Sequence, residues 1–331
     1  MRYTRHGDII EPAQGQVIQG FDQMPAIYVP SVLPNLRQWR ALGLKTALVT
    51  LIAADGSAPR PLGSQMAIAE TGAAVGNITG GCAEAAIVAE AQTRIARGKS
   101  GTVRYGAGSP YIDIRLPCGS GIDVYFDVDF ADSALVSLLS FQALRQPATL
   151  SINAAAGRVI VAPTPAADPG AYIRYYPPAP RLVVVGKGPT VPILARLASA
   201  ADFEVIAMSS EVETLEATVA HAIRAEYLAA PEAFRFAEFD RWTAFVSLFH
   251  EHEWEPLILK QALASECFYV GALGSKRTHQ ERLVNLRCLG VTDAVLARIR
   301  APVGLKLGGK NPPEIAVAIV AEIIQTQYAT P

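Results

Sequence analysis

Cysteine is scarce in this chain, with four among 331 residues, at positions 82, 118, 267 and 288, and no CxxC pair. That spacing supplies no four-thiolate zinc site, and so few thiols in so long a chain do not make a disulfide framework. Charge is sparse too: 18% of residues are charged and the formal net charge is −1. No basic run tracks a phosphate backbone, so nucleic acid is not an expected partner. Long hydrophobic runs are also missing. The longest apolar stretch, Ile315 to Ile324, contains Glu322 and falls far short of a bilayer span. The opening segment, MRYTRHGDIIEPAQGQ, is too polar for a secretory signal. These absences predict a soluble, cytoplasmic protein with no membrane partner.

Half of the residues are apolar, enough for a large core, and 331 residues favour two domains over one. Tyr176-Pro177-Pro178-Ala179-Pro180 is the best linker, because its prolines favour a stiff extended segment. We therefore expect an α/β protein: an N-terminal α+β domain over 31–176 and a C-terminal Rossmann-like domain with a parallel sheet over 181–331. Residues 1 to about 30 read as an irregular lead-in. A helix over Leu33–Leu42 follows, then strands over Lys45–Ala53, Ser64–Ala69 and Ala73–Ile78. A helix starts at Cys82 and runs to about Arg97. Strands at Thr102–Tyr105 and Ile122–Asp127, a helix over Ser133–Leu144 and two weaker strands complete this half. In the second half, Arg181–Val185, Phe203–Met208, Ala244–Phe249 and Cys267–Gly271 read as parallel strands with helices between them. The last helix has a clear start, with Asn311 as cap, Pro312 at N1 and Glu314 at N3. Its nearly all-apolar surface places it in the core.

Five segments can carry chemistry. At Gly186-Lys187-Gly188-Pro189-Thr190 a strand meets a helix through glycines, which favours an anion. The dinucleotide fingerprint wants a third glycine where this chain has Val191, and an acid at the end of the second strand, where it has Ser209. A plain connecting turn is the alternative. In Thr79-Gly80-Gly81-Cys82 two glycines allow close backbone approach, and a thiol at a helix N-terminus is activated. The alternative there is a tight turn with a buried small cysteine. Pro117-Cys118-Gly119 is a loop cysteine that would form a soft-ligand site only beside Cys82. His250 and His252 follow an apolar strand, at the end where open α/β sheets bind ligands. Gly271 to Arg277 contains Gly274 and a capping Ser275 ahead of two basic residues, a second anion candidate or a capped helix with solvated charges.

Taken in order, these segments resemble the XdhC/CoxI family, the accessory proteins of xanthine dehydrogenase and related molybdenum hydroxylases. The resemblance rests on Gly56-Ser57-Ala58-Pro59-Arg60, Gly63, Gly80-Gly81-Cys82-Ala83-Glu84 and Pro117-Cys118-Gly119 in the first half. In the second half it rests on Tyr269 to Arg277, Ala301-Pro302-Val303-Gly304-Leu305, Pro313-Glu314-Ile315-Ala316 and Ala321-Glu322-Ile323. It departs at the Rossmann turn, where family members often read Gly-Ala-Gly-His-Val-Gly.

The resemblance implies a cofactor chaperone rather than an enzyme with its own turnover. Such proteins bind mature molybdenum cofactor, a pterin carrying a phosphate and a dithiolene-bound molybdenum. They shield it while a cysteine desulfurase supplies the sulfido ligand, and then help insert it into an apo molybdenum hydroxylase. On this reading Gly80, Gly81, Cys82, Cys118, Gly119, Gly186, Gly188, His250, Gly274 and Ser275 are the expected cofactor-binding residues, with Cys82 and Cys118 as the candidates to touch the metal. The competing reading is an NAD(P)-dependent oxidoreductase built on the second half. The missing glycine and acid count against NAD(P) as cofactor. A homodimer is expected only because dimers are the commonest assembly of soluble proteins.

Overall fold

The computed structural model describes residues 2–3, 9–10, 29–56, 58, 60–109, 119, 121–166, 168–234, 239–249 and 254–329. The chain divides into two units, Met1–Pro178 and Ala179–Pro331, with the boundary inside the proline-rich segment.

The first unit contains β1 (Arg2–Tyr3), β2 (Ile9–Ile10), α1 (Leu33–Ala41), β3 (Thr46–Asp55), β4 (Gln65–Ala69), β5 (Ala74–Gly76), α2 (Glu84–Arg97), β6 (Gly101–Gly106), β7 (Gly121–Asp127), α3 (Asp132–Ala143), β8 (Ala148–Asn153), β9 (Arg158–Ala162) and β10 (Tyr172–Tyr176). Its strands form two antiparallel sheets, ordered β5-β4-β3-β7-β6 and β10-β8-β9-β1-β2. The central strand β3 is buried on both faces. Ala47, Val49 and Leu51 meet Ile87, Ala91 and Ile95 of α2, while Leu48 packs with α1, α3 and the apolar residues of the second sheet. Three details depart from the sequence reading. The lead-in holds the short strands β1 and β2, β10 is a third strand beside the two expected, and α2 begins at Glu84, with Ala83 at its cap and Cys82 outside it.

The second unit contains β11 (Arg181–Gly186), α4 (Thr190–Ala200), β12 (Glu204–Ser209), α5 (Val212–Val219), β13 (Arg224–Tyr227), β14 (Thr243–Leu248), α6 (Glu255–Leu263), β15 (Tyr269–Ala272), α7 (Lys276–Cys288), α8 (Asp293–Leu296), β16 (Ile299–Arg300) and α9 (Pro312–Ala329). Every pairing in its six-stranded sheet is parallel, in the order β13-β12-β11-β14-β15-β16. That is the doubly wound Rossmann order, with its reversal between β11 and β14. Alternation along β11 sorts the two faces. Leu182 and Val184 pack with α4 and α9, and Val183 and Val185 with α6 and Leu286 of α7. Such strands, covered on both sides, read as unbroken apolar runs.

The last helix begins as expected. Glu314 accepts the amides of Lys310 and Asn311 at 3.0 and 3.1 Å. It is not buried all round, however. Ala316, Ala318, Ile319 and Ile323 form the covered stripe, and Val317 and Tyr328 are each 48% exposed. Packing against a sheet face needs only one side of a helix, so an all-apolar helix overstates its burial. Among the described residues no helix is long and apolar enough to cross a membrane.

Candidate functional site

The register of the central sheet in the first unit gathers the expected segments. β3 ends at Asp55, opposite Gly121 at the start of β7, and Gly121 in turn faces Gly106 at the end of β6. β4 starts at that end with Gln65, and β5 finishes there with Gly76 opposite Met66. Three connections therefore leave one end of the sheet: 56–64, 77–83 and 107–120. They carry Gly63, then Gly80-Gly81-Cys82, then Cys118 and Gly119. Arg104 ties the end together by bonding Asp55 and Asp123. Cys118 lies outside the described residues, and so does His250 of the second unit.

The Gly80–Cys82 turn is built around a carboxylate of the chain itself. Glu84, at the first position of α2, accepts the amides of Ile78 (3.2 Å), Thr79 (2.7 Å), Gly81 (2.7 Å) and Ala83 (3.3 Å), together with the Thr79 hydroxyl. The Gly80 amide donates to Asn77 at 2.7 Å. Burial alone would push the Glu84 carboxyl up. The hydroxyl and amide donors outweigh it and hold the group below the ordinary carboxylate value. The amides of Thr79, Gly81 and Ala83 are thus engaged by Glu84 and that of Gly80 by Asn77, all within the chain. Both glycines have positive φ, 78° and 108°, and a Cβ on either would meet nothing within 4 Å, so it is turn geometry that calls for glycine. Cys82 is an exposed free thiol beside this turn. Cys267, by contrast, is buried, and burial pushes its thiol up to about 11, as suits a core residue. Among the described residues no three His, Cys, Asp or Glu side chains gather as a metal site.

Where β4 begins, at this same sheet end, lies a group that sequence reasoning missed. Arg174 of β10 is 5% exposed, and its Nε has no hydrogen-bond partner. Its guanidinium lies 4.7 Å from the centroid of the Tyr176 ring. Tyr176 donates to Gln65 at 2.9 Å, and Gln65 donates on to Thr50 at 3.0 Å. Burial raises the phenol of Tyr172 to about 12, with the Arg174 charge pulling the other way. A Cβ at Gly63 would lie 2.7 Å from the Tyr172 oxygen and 2.8 Å from Arg174 Cδ, so glycine is what fits above them. The other two buried arginines each have a carboxylate: Arg181 pairs with Glu204 at 3.1 Å and Arg282 with Glu255 at 2.7 Å. A buried charge left without a counter-ion costs several kcal/mol. A desolvated cation–π contact returns roughly 2 kcal/mol.

In the second unit the Rossmann turn is also closed from within. The Gly188 amide donates to Glu211 and to the Thr214 hydroxyl, both at 3.0 Å. Gly186 serves the sheet, since a Cβ there would sit 2.8 Å from the carbonyl carbon of Leu248 on the neighbouring strand. Ser275 caps α7 and accepts the Thr278 amide at 3.2 Å. Gly274 (φ 132°) faces Thr278, whose methyl carbon would lie 2.9 Å from a Cβ. Beyond β14 a buried network joins Ser247, Glu255 and Arg282. The Ser247 hydroxyl donates to Glu255 at 2.8 Å, and Arg282 makes a two-point pair with Glu255 and bonds the Leu273 carbonyl. Arg282 also stands beside His279, whose imidazole is held below its ordinary value first by burial and then by that charge. Near the chain end, Glu322 accepts the Tyr269 hydroxyl and the Gly304 amide, joining α9 to the loop after β16.

An antiparallel α+β unit carrying a glycine–cysteine turn, followed by a Rossmann-type unit whose glycine turn is closed by a glutamate, defines the class. The model of the XdhC and CoxI family matches residues 39–106, and that of the XdhC Rossmann domain matches residues 182–323. The chain is 32% identical over 284 residues to the molybdenum cofactor insertion chaperone PaoD of Escherichia coli, covering 85% of this chain and 83% of that protein. The chain belongs to the XdhC/CoxI family. It is also 31% identical over 160 residues to a probable xanthine dehydrogenase component of Bacillus subtilis, covering 47% of this chain and 46% of that one. A crystal structure of a xanthine dehydrogenase from Bacillus halodurans shares the fold, with a TM-score of 0.75 at 21% identity over 91% of this chain and 97% of that one.

Proposed function

We propose that this protein binds mature molybdenum cofactor, shields it while a cysteine desulfurase supplies the terminal sulfido ligand, and passes it to an apo molybdenum hydroxylase of the xanthine dehydrogenase type. The observation that carries the reading is the similarity to a molybdenum cofactor insertion chaperone, which runs through both units instead of stopping at the Rossmann half. The centre we favour is the end of the first unit's sheet from which the connections 56–64, 77–83 and 107–120 depart. Cys82 is exposed there, and Cys118 stands in sequence between β6 and β7, whose facing ends Gly106 and Gly121 lie at that end. A soft metal carried on a dithiolene suits thiolate contacts, and Arg174, with its unmet Nε, suits an anion. In the second unit Gly186, Gly188, Gly274 and Ser275 each have a structural task, so our proposal for cofactor contact rests mainly on the first unit. His250 and a homodimeric assembly remain part of the proposal.

The competing oxidoreductase reading has the Rossmann strand order in its favour. Against it, the amide that would face a pyrophosphate is held by Glu211. A reconstitution assay separates the two. Cofactor-loaded protein mixed with a desulfurase and an apo xanthine dehydrogenase-type enzyme should restore hydroxylase activity faster than free cofactor does. Equal restoration with and without this protein would remove the chaperone reading.

A further inference from the structure

We infer that Arg174 is a built anion site of the first unit, and that its ligand is a phosphate oxyanion. The inference goes with the proposed function in one respect: the phosphate of a pterin cofactor would be the natural occupant.

Of the three buried arginines, two have a carboxylate at hydrogen-bond distance and Arg174 has none among the described residues. Its Nε is buried without an acceptor. The Tyr176 ring covers only the face of the guanidinium and its hydroxyl shares one side-chain hydrogen bond with Arg174, which leaves the Nε–H among the in-plane donors unmet. Those donors are what a tetrahedral oxyanion takes up, through charge-assisted bonds in a fork geometry. Two neighbours fit the same ligand. Tyr172 brings a hydroxyl to the same place, and Gly63 lets the backbone approach both side chains more closely than any Cβ would allow. Tyr176 is committed to Gln65 and fixes the ring beneath the guanidinium.

Location supports the assignment. Gly63 immediately precedes the start of β4, so Arg174 lies at the sheet end from which the Gly80–Cys82 and Cys118–Gly119 connections also depart. The amides that glycine turns commonly offer to phosphate are taken here by Glu84 and Glu211. Arg174 supplies the positive donor that those turns do not.

The test uses the purified full chain. Thermal unfolding is followed in chloride and then in inorganic phosphate, pyrophosphate, a pterin carrying a methyl phosphate ester and its dephosphorylated alcohol, all at one ionic strength. The wild-type midpoint should rise with each phosphate compound and not with the alcohol. Preference for the ester over inorganic phosphate identifies a cofactor phosphate, and preference for pyrophosphate a dinucleotide form. Arg174→Met should unfold no lower than wild type in chloride and should lose the phosphate-dependent rise. Arg174→Lys, which keeps the charge, should fold and bind about ten- to a hundredfold more weakly. A wild-type midpoint indifferent to every phosphate compound would overturn the inference. So would a response that survives unchanged in Arg174→Lys. Copurifying pterin with no phosphate response would sink this site while leaving the chaperone reading intact. An Arg174-dependent response in a protein that never takes up pterin would do the reverse.

Discussion

Glu211 accepts the Gly188 amide at 3.0 Å and the Thr214 hydroxyl at 2.9 Å. In a dinucleotide-binding Rossmann turn that amide faces the pyrophosphate, and an acid at the end of the second strand holds the ribose. Here the acid lies two residues beyond the strand and reaches across to close the turn. Titration with NADH should therefore give no saturable fluorescence change. Glu211→Ala should lower stability by about 1 kcal/mol, the worth of an ordinary hydrogen bond, in urea unfolding. Tight NADH binding by the wild type would return the oxidoreductase reading to first place.

Glu84 gives a pH dependence with a definite sign. Its folded-state pKa lies below the ordinary 4.5 despite the burial that opposes this. Its stabilisation is thus fully present above about pH 4.5 and is lost as pH falls through the folded value. Glu84→Gln puts an amide donor against the Gly81 and Ala83 amides and should cost about 1.5–3 kcal/mol at neutral pH. The gap between variant and wild type should narrow as denaturation curves are taken to lower pH. A gap independent of pH would mean that the charge of Glu84 is not what holds the turn.

The buried Glu255–Arg282 pair should respond asymmetrically. Arg282→Met or Glu255→Leu alone strands a buried charge and should cost about 3–5 kcal/mol, whereas the double variant should recover most of that loss. Additive losses in the double-mutant cycle would show that the two groups are not coupled. Arg282→Met is also the natural control for Arg174→Met, since one removes an arginine with a carboxylate partner and the other an arginine without one among the described residues.

Gly186→Ala separates sheet architecture from ligand binding. The new methyl would meet the Leu248 backbone at 2.8 Å, and its relief should cost about 1–3 kcal/mol in the absence of any ligand. A variant as stable as wild type would free Gly186 to be a ligand-approach glycine after all.

The second unit is the more legible half because parallel strands covered on both sides are continuous apolar words, as in Leu182-Val183-Val184-Val185. Its edge strand Arg224–Tyr227 is hard to read because it is polar and largely uncovered. In the first unit Tyr172–Tyr176 merges with the linker through the prolines that follow it, and two-residue strands carry no period to read. The start of α2 lies two residues later than expected because no serine, threonine, asparagine or aspartate stands at Ala83, and a glutamate inside the helix does the capping. The site is legible as segments and not as partners. Nothing local in Lys276–Cys288, a strongly polar helix, announces that Arg282 is buried. One signal is available: in Tyr172-Ile-Arg-Tyr-Tyr176 the arginine alternates with two aromatic residues on one strand face.

The central claim is that this chain carries a molybdopterin-type cofactor through a centre that includes Cys82. The direct measurement is the pterin content of the full chain, purified without oxygen after co-production with the cofactor pathway, then oxidised and read by fluorescence. Wild type should hold close to one pterin per chain, and Cys82→Ala should hold much less while melting at the same temperature. Wild-type protein with no pterin, or a Cys82→Ala protein loaded as fully as wild type, would contradict it.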